Sequence, residues 1–159
     1  MLYAFAMDRT HLGEDRLSPD EISSWKGMLR AHRDLVAGLD AQLEREHSLP
    51  LSSYEVLMVL VDAPDGRARM GDLANELLLS RSGLTRLVDR LVRKGWVERA
   101  PCEDDARGLY AAITRSGRAK VKSARPSHLD GVREAFLSKL SDSDLEALSR
   151  AWRKLGDPA

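Results

Sequence analysis

One segment near the middle of the chain constrains the fold most, because its pattern specifies a helix with a buried back and a polar front. Its apolar residues recur at spacings of 3, 1 and 3, which places them on one helical face: Leu84, Leu87, Val88 and Leu91. Ser80 stands at the N-cap position, and Lys94 with Gly95 is a typical helix end. The opposite face carries polar groups: Ser82, Thr85, Arg86, Asp89 and Arg93. Hydroxyl and guanidinium groups suit a DNA major groove, although the same pattern is typical of an ordinary surface helix.

The neighbours of this helix favour DNA binding. A short helix is predicted from about Met70 to Leu77, and only Leu78 and Leu79 join it to Ser80, which predicts a helix-turn-helix. After the second helix, residues 96–101 and 109–114 are predicted to be two strands.

The two predicted strands are joined by a polar loop from Cys102 to Gly108, with Arg107 near its tip. This hairpin completes a winged helix. A flexible arginine on such a tip is well placed for the minor groove, where the potential of DNA is most negative.

The charge distribution also indicates a polyanion-binding surface. The chain has 25 basic and 25 acidic residues, so its net charge is zero. Residues 66–122, however, hold 13 Lys or Arg and 7 Asp or Glu, a net +6, while the remainder holds 12 and 18, a net −6. A basic middle between acidic flanks is the asymmetry expected of a local DNA-binding surface.

The composition argues against several other classes of protein. Cys102 is the single cysteine, so an intrachain disulfide is impossible and a reducing compartment fits. No apolar run approaches a membrane span, and residues 1–7 lack the features of a signal peptide, so a cytoplasmic location is expected. The four histidines lie far apart and no catalytic motif is present, so neither an enzyme nor a metal or other cofactor is expected.

Both ends of the chain are predicted to pack helices. Residues 1–17 lack periodicity and are expected to be a flexible arm, and Ser18, Pro19 and Glu21 then start a helix. This helix carries a heptad seam: Ile22, Trp25, Leu29, His32, Val36, Leu39 and Leu43. The last helix begins after Ser141 and carries a second seam: Leu145, Leu148, Trp152 and Leu155. Each seam requires another helix, from the same chain or from a second copy.

Two further helices complete the predicted architecture. Ser52 and Glu55 form a second capping box that opens a buried helix, and Thr114 caps a helix to about Lys139 with a kink or break at Pro126. The predicted fold is mainly α with a small β-hairpin. A winged helix-turn-helix domain spans residues 51–114, and residues 18–50 and 115–159 form an all-helical dimerisation region.

The centre of the sequence resembles the MarR family of bacterial transcriptional regulators. The resemblance rests on residues 70–74, 80–91 and 95–99, and on Asp105-Ala106-Arg107 followed by Thr114 and Gly117. In element order it covers roughly residues 20–155. Leu78 departs from the family, whose turn often has glycine at this position, and residues 1–17 have no clear counterpart.

This resemblance implies a sequence-specific regulator, expected to be a repressor, which binds a pseudo-palindromic operator as a homodimer. By position, the expected DNA contacts are Arg69, Ser80, Arg81, Ser82, Thr85, Arg86 and Arg107. Arg90 is expected to pair with Asp104 or Asp105 and so to orient the wing.

Members of the family commonly respond to small aromatic acids or phenols. The candidates for an effector pocket here are Trp25, Met28, His32, Tyr54 and Met58. Such a stripe at helical spacing is also typical of an ordinary core, and His32 fits either a buried histidine or a ligand-binding group.

The sequence is also compatible with two alternative functions. Cys102, near Arg99 and Arg107, is a candidate redox sensor, although its partner thiol would have to come from another molecule. A winged helix also serves as a protein-binding module, but such a module more often exposes apolar residues where this chain has arginines.

Overall fold

The computed structural model describes residues 17–102 and 105–156, except for the side chains of residues 102 and 105–108. The predicted N-terminal arm lies outside this description except for Leu17. The chain divides into two units between Asp34 and Leu35, and the described part of the first unit is the beginning of helix α1. The helices are α1 (Pro19–His47), α2 (Leu51–Asp62), α3 (Met70–Glu76), α4 (Arg81–Arg93), α5 (Arg115–Ala135) and α6 (Asp142–Leu155), and the strands are β1 (Arg67–Arg69), β2 (Val97–Cys102) and β3 (Asp105–Ile113).

Helix α1 begins with the predicted capping box. The Glu21 amide donates to Ser18 Oγ at 3.2 Å, and the Ser18 amide donates to Glu21 Oε2 at 2.7 Å. The hydrogen bonds from Ser18 hold the pKa of the Glu21 carboxyl below its ordinary value. Leu43 is buried, whereas Trp25, Leu29 and Val36 are exposed in the single chain. The predicted seam is therefore covered at its C-terminal end and open along most of its length.

The capping box predicted for α2 at Ser52 is wrong. The N-cap lies two residues earlier, at Pro50, which makes no side-chain hydrogen bond, and the helix begins at Leu51. The carboxylate of Asp40, on α1, accepts the Leu51 amide at 2.8 Å and satisfies this helix end instead. A side chain from another helix thus replaces the local cap.

The helix-turn-helix is formed by α3 and α4. Leu73 and Ala74 of α3 are buried, as are all four apolar residues predicted for the inner face of α4. Leu78 in the turn has a φ of +51° and is 93% exposed. The Leu79 amide donates to the Ala74 carbonyl at 2.9 Å, which closes the turn around this left-handed residue.

The predicted hairpin is present as part of an antiparallel sheet in the order β1-β3-β2. Strand β1 was not predicted, because three residues are too few to show alternation. The predicted loop from Cys102 to Gly108 was too long, since β2 continues to Cys102 and β3 begins at Asp105. Backbone pairing between the strands therefore extends beyond the range indicated by the polar composition.

Helix α5 begins as predicted, because Thr114 Oγ1 accepts the Gly117 amide at 3.0 Å. The expected end at Lys139 is wrong: the helix ends at Ala135, and a separate 3₁₀ turn covers Leu137–Lys139. Pro126 lies inside the helix without breaking it.

Contacts from α1 hold α5 directly after Pro126. Gln42 Nε2 donates to the Ser127 carbonyl at 3.0 Å, and His47 Nε2 lies 2.8 Å from Ser127 Oγ. Pro126 itself is exposed, so its ring does not displace core side chains. These bonds hold the residue after the proline against α1.

Helix α6 begins with a reciprocal capping box between Ser141 and Asp144. Trp152 and Leu155, both in the second predicted seam, are exposed in the single chain. In the part of the chain that the structure describes, no helix has the length and apolar content needed to cross a membrane.

Candidate nucleic-acid interface

The predicted DNA-facing residues of α4 share one exposed surface. Arg81, Ser82, Thr85 and Arg86 are all exposed, while the back of the same helix is buried in the core. Thr85 Oγ1 donates to the Arg81 carbonyl at 2.8 Å, so its hydroxyl oxygen remains able to accept a hydrogen bond. This face offers cations and hydroxyl groups to a polyanion.

Ser80 has a structural role at the start of this face. Its Oγ accepts the Gly83 amide at 3.1 Å and lies 3.3 Å from Ser82 Oγ. The free amides of the first turn of α4 give this end a partial positive charge, which favours a nearby phosphate.

An ion pair that the sequence did not predict joins α4 to the hairpin. Arg99 Nη2, on β2, lies 2.8 Å from Asp89 Oδ1. Ten residues separate the two side chains, so no helical or strand spacing indicates their contact. The pairing depends on how the hairpin folds back onto the helix.

Arg67 and Arg69 flank the ring of Tyr110. Their guanidinium carbons lie 5.1 Å and 5.8 Å from the ring centroid, within the range of cation–π attraction. Arg69, a predicted phosphate contact, is the last residue of β1 and directly precedes α3. Arg67 is a further cation at this end of the winged helix, and sequence reasoning missed it together with its strand.

The wing predictions fall largely outside the described residues. The backbones of Arg107 and Asp105 lie in β3, but their side chains and the whole of Asp104 are not described. Arg90 is exposed. Its pairing with either acid, the contact of Arg107 with a minor groove, and the reactivity of Cys102 all stay predictions.

Two predicted effector residues line a cavity of about 470 Å³ between α2, the α3–α4 turn and α5. Its walls include Tyr54, Met58, Leu77, Leu78, Arg125 and His128. The other three candidates belong to the N-terminal unit, where Trp25 and His32 are exposed and Met28 is half-buried. His32 is thus not buried in the single chain.

His128 is the polar group of this cavity that the sequence did not indicate. Its ring centroid lies 4.6 Å from that of Tyr54, and its buried Nδ1 has no hydrogen-bond partner among the described residues. Burial lowers the pKa of His128. Burial also raises the pKa of the Tyr54 phenol, against the opposing charge of Arg125. The walls are mainly apolar, and their polar groups include His128, Arg125 and the carboxylates of Glu55 and Glu76.

Comparison with known proteins gives one consistent result. A sequence model of the MarR family matches residues 47–108. The chain is 30% identical over 91 residues to the HTH-type transcriptional repressor YetL of Bacillus subtilis. The aligned segment covers 57% of this chain and 54% of YetL. It is also 46% identical over 84 residues to the multiple antibiotic resistance protein MarR of Escherichia coli. The aligned segment covers 53% of this chain and 58% of that protein. The chain thus spans little more than half the length of these curated relatives.

A solved structure extends the likeness over most of the chain. The fold is similar to that of Sco3205, a MarR family transcriptional regulator from Streptomyces coelicolor, in complex with DNA, with a TM-score of 0.83 and 33% identity. That match covers 88% of this chain and 91% of Sco3205.

Proposed function

Because the chain belongs to the MarR family of winged helix-turn-helix transcriptional regulators, we propose that it binds a specific DNA sequence as a homodimer and represses transcription. The exposed face of α4 carries this proposal, since Arg81, Ser82, Thr85 and Arg86 lie together over a helix whose back is fixed in the core. Helix α4 is the recognition helix in this proposal. A role in binding DNA implies a cytoplasmic location.

The open apolar seams support a homodimer. Trp25, Leu29 and Val36 on α1 and Trp152 and Leu155 on α6 are large apolar side chains exposed in the single chain. Covering such residues is a main source of free energy for association. We propose that residues 18–50 and 115–159 supply the dimer interface and residues 51–114 the DNA-binding domain.

Repression and its release by an effector rest on different observations. YetL is described as a repressor, and the cavity beside the helix-turn-helix supports a ligand that changes the DNA affinity. Its largely apolar walls and His128 Nδ1, which has no hydrogen-bond partner among the described residues, suit a phenol, and Arg125 offers a cation to an aromatic acid beside the carboxylates of Glu55 and Glu76. We propose Tyr54 and Met58 as the residues that contact its ring.

The first test is the affinity of the purified protein for DNA from its own upstream region, measured by fluorescence anisotropy at near-physiological salt. A scrambled duplex of equal length and composition is the control. A preference of about 10³-fold or more for the upstream duplex is expected of sequence-specific binding. Equal and weak binding to both leads to a selection of bound genomic fragments, and failure to enrich any fragment would refute the proposal.

The same complex tests the effector. Aromatic acids and phenols added to the preformed complex should lower its anisotropy, and Met58→Ala, at the half-buried contact residue, should weaken this response without weakening DNA binding. An equal response in the Met58→Ala variant would place the ligand elsewhere.

A further inference from the structure

We infer that the ion pair between Asp89 and Arg99 positions the β2–β3 hairpin against the recognition helix and keeps a carboxylate from repelling DNA. This inference rests on the proposed DNA-binding function. It makes Arg99 a positioning residue that acts through Asp89 rather than a phosphate contact.

Asp89 lies in the middle of the proposed DNA-facing surface. At about 100° per residue, it falls within about 40° of Thr85 and about 20° of Ser82 around the helix axis. An unpaired carboxylate at this position would repel nearby phosphates. The guanidinium of Arg99, 2.8 Å away, compensates this charge.

The position of Arg99 in the strand explains why it reaches the helix. Side chains alternate between the two faces of a strand, so Arg99 shares a face with Val97. Val97 is buried, and the β3 residues opposite these two, Ile113 and Ala111, are also buried. Arg99 therefore extends from the inner face of the hairpin. Its side chain is only 31% exposed.

The pair adds a second point of attachment between helix and hairpin. At the base, the Trp96 amide donates to the Leu91 carbonyl at 3.0 Å, and Thr114 Oγ1 donates to the Gly95 carbonyl at 2.7 Å. Arg99 lies three residues beyond Trp96 along the strand. Pairing of β3 with β1 already holds the other edge of the sheet, and the ion pair adds an attachment between β2 and α4 beyond the base.

The test is a double-mutant cycle of Asp89→Asn, Arg99→Gln and the double variant in the full-length protein. Each single variant should lower the preference for the cognate over the scrambled duplex by about 2- to 10-fold. The preference of the double variant should be at least as large as that of the poorer single variant, because either single substitution already breaks the ion pair. The matched control is the exposed pair between Asp130 and Arg133 on α5, also 2.8 Å apart, whose neutralisation should leave the preference unchanged.

The salt dependence separates positioning from direct contact. In the Asp89→Asn background, where no carboxylate is uncovered, Arg99→Gln should leave the slope of log affinity against log salt unchanged, because no phosphate contact is lost. If Arg99 contacts a phosphate instead, the slope falls by about one and Asp89→Asn tightens binding by freeing the arginine. That result, or an additive cycle, would overturn the inference.

A measurement without DNA distinguishes this inference from the proposed function. Amide hydrogen exchange in residues 97–113 of the free dimer should be faster in both single variants than in the wild type. Unchanged exchange overturns the inference even if the wild type binds its operator. Faster exchange in a protein that selects no DNA would instead refute the proposed function while retaining the structural link.

Discussion

At the scale of the residue, the outward side chains of α4 differ from those that hold the helix. Arg86 is exposed, and no acidic side chain pairs with it in the described part of the chain. Arg86→Ala should therefore weaken binding to the cognate duplex by about 1–3 kcal/mol and leave the dimer intact. Anisotropy and analytical ultracentrifugation measure the two effects. Arg45→Ala, an exposed arginine at the end of α1, is the control, and unchanged affinity of the Arg86 variant would remove α4 from the DNA-binding role.

Ser80 illustrates the opposite role, because its hydroxyl caps the recognition helix. Ser80→Ala should lower the free energy of unfolding by about 1 kcal/mol. Ser80→Asp should retain most of the stability that the cap contributes, since a carboxylate also accepts the first-turn amides. Urea unfolding at fixed protein concentration is the measurement. Ser116→Ala, an exposed serine within α5, is the control. Equal stability of the Ser80→Ala variant and the wild type would show that the cap contributes nothing.

His128 makes the stability of the fold depend on pH. Because burial lowers its pKa in the folded protein, the unfolded chain takes up a proton at a higher pH than the folded chain does. The stability from neutral His128 is therefore present above about pH 6.5, the ordinary pKa, and is lost as the pH falls below it.

Replacing the ring tests this dependence. His128→Gln should show a smaller loss of stability than the wild type between about pH 7 and about pH 5 in urea unfolding. Ser123→Ala, at an exposed residue of the same helix that does not titrate, should follow the wild type. If the free energy of unfolding changes equally with pH in the wild type and the His128 variant, the pH dependence does not come from His128.

At the scale of the element, the sequence predicted what depends on local spacing. The caps at Ser18, Ser80, Thr114 and Ser141 need residues only three positions apart, and the buried face of α4 needs only its own period. These features were confirmed, and with them the winged helix. The mainly helical fold with a small antiparallel sheet follows from the same local signals.

The features that were missed depend on contacts between distant residues. Asp40 replaces the predicted Ser52 cap from another helix, and Ser127 is held by α1 just after Pro126. The same limit applies to the site. The ion pair between Asp89 and Arg99 and the contact between the rings of His128 and Tyr54 cannot be predicted from sequence spacing. Spacing rules describe one element at a time and contain no information about which elements meet.

The turn between α3 and α4 gives a prediction at this scale. Leu78 has a left-handed φ of +51° and is 93% exposed, so the fold bears the strain of a side chain that gains little burial. Leu78→Gly should raise the free energy of unfolding by about 1 kcal/mol, since glycine adopts this conformation without strain. Urea unfolding measures this, with Leu79→Gly, at a residue of ordinary φ, as a destabilising control. A loss of stability in the Leu78 variant would show that its side chain makes a contact worth more than the strain.

At the scale of the whole molecule, the exposed seams predict the oligomeric state. Leu29→Lys, which places a charge in the α1 seam, should weaken dimerisation by about 100-fold or more, because a buried unpaired charge costs several kcal/mol. Sedimentation equilibrium over a range of concentrations measures the dimer constant. Arg30→Glu changes the charge one position away on the helix and should have little effect. A dimer that tolerates Leu29→Lys would place the interface elsewhere.

The division of α4 into a buried back and an exposed front has an evolutionary consequence. Stability depends on Leu84, Leu87, Val88 and Leu91, whereas Ser82 and Arg86 make no bond into the core. Substitutions at these two positions can therefore accumulate without unfolding the protein, so that duplicated copies of such a gene can acquire new operators quickly. A library randomised at these outward positions should consist largely of folded proteins, from which altered DNA preferences can be selected directly.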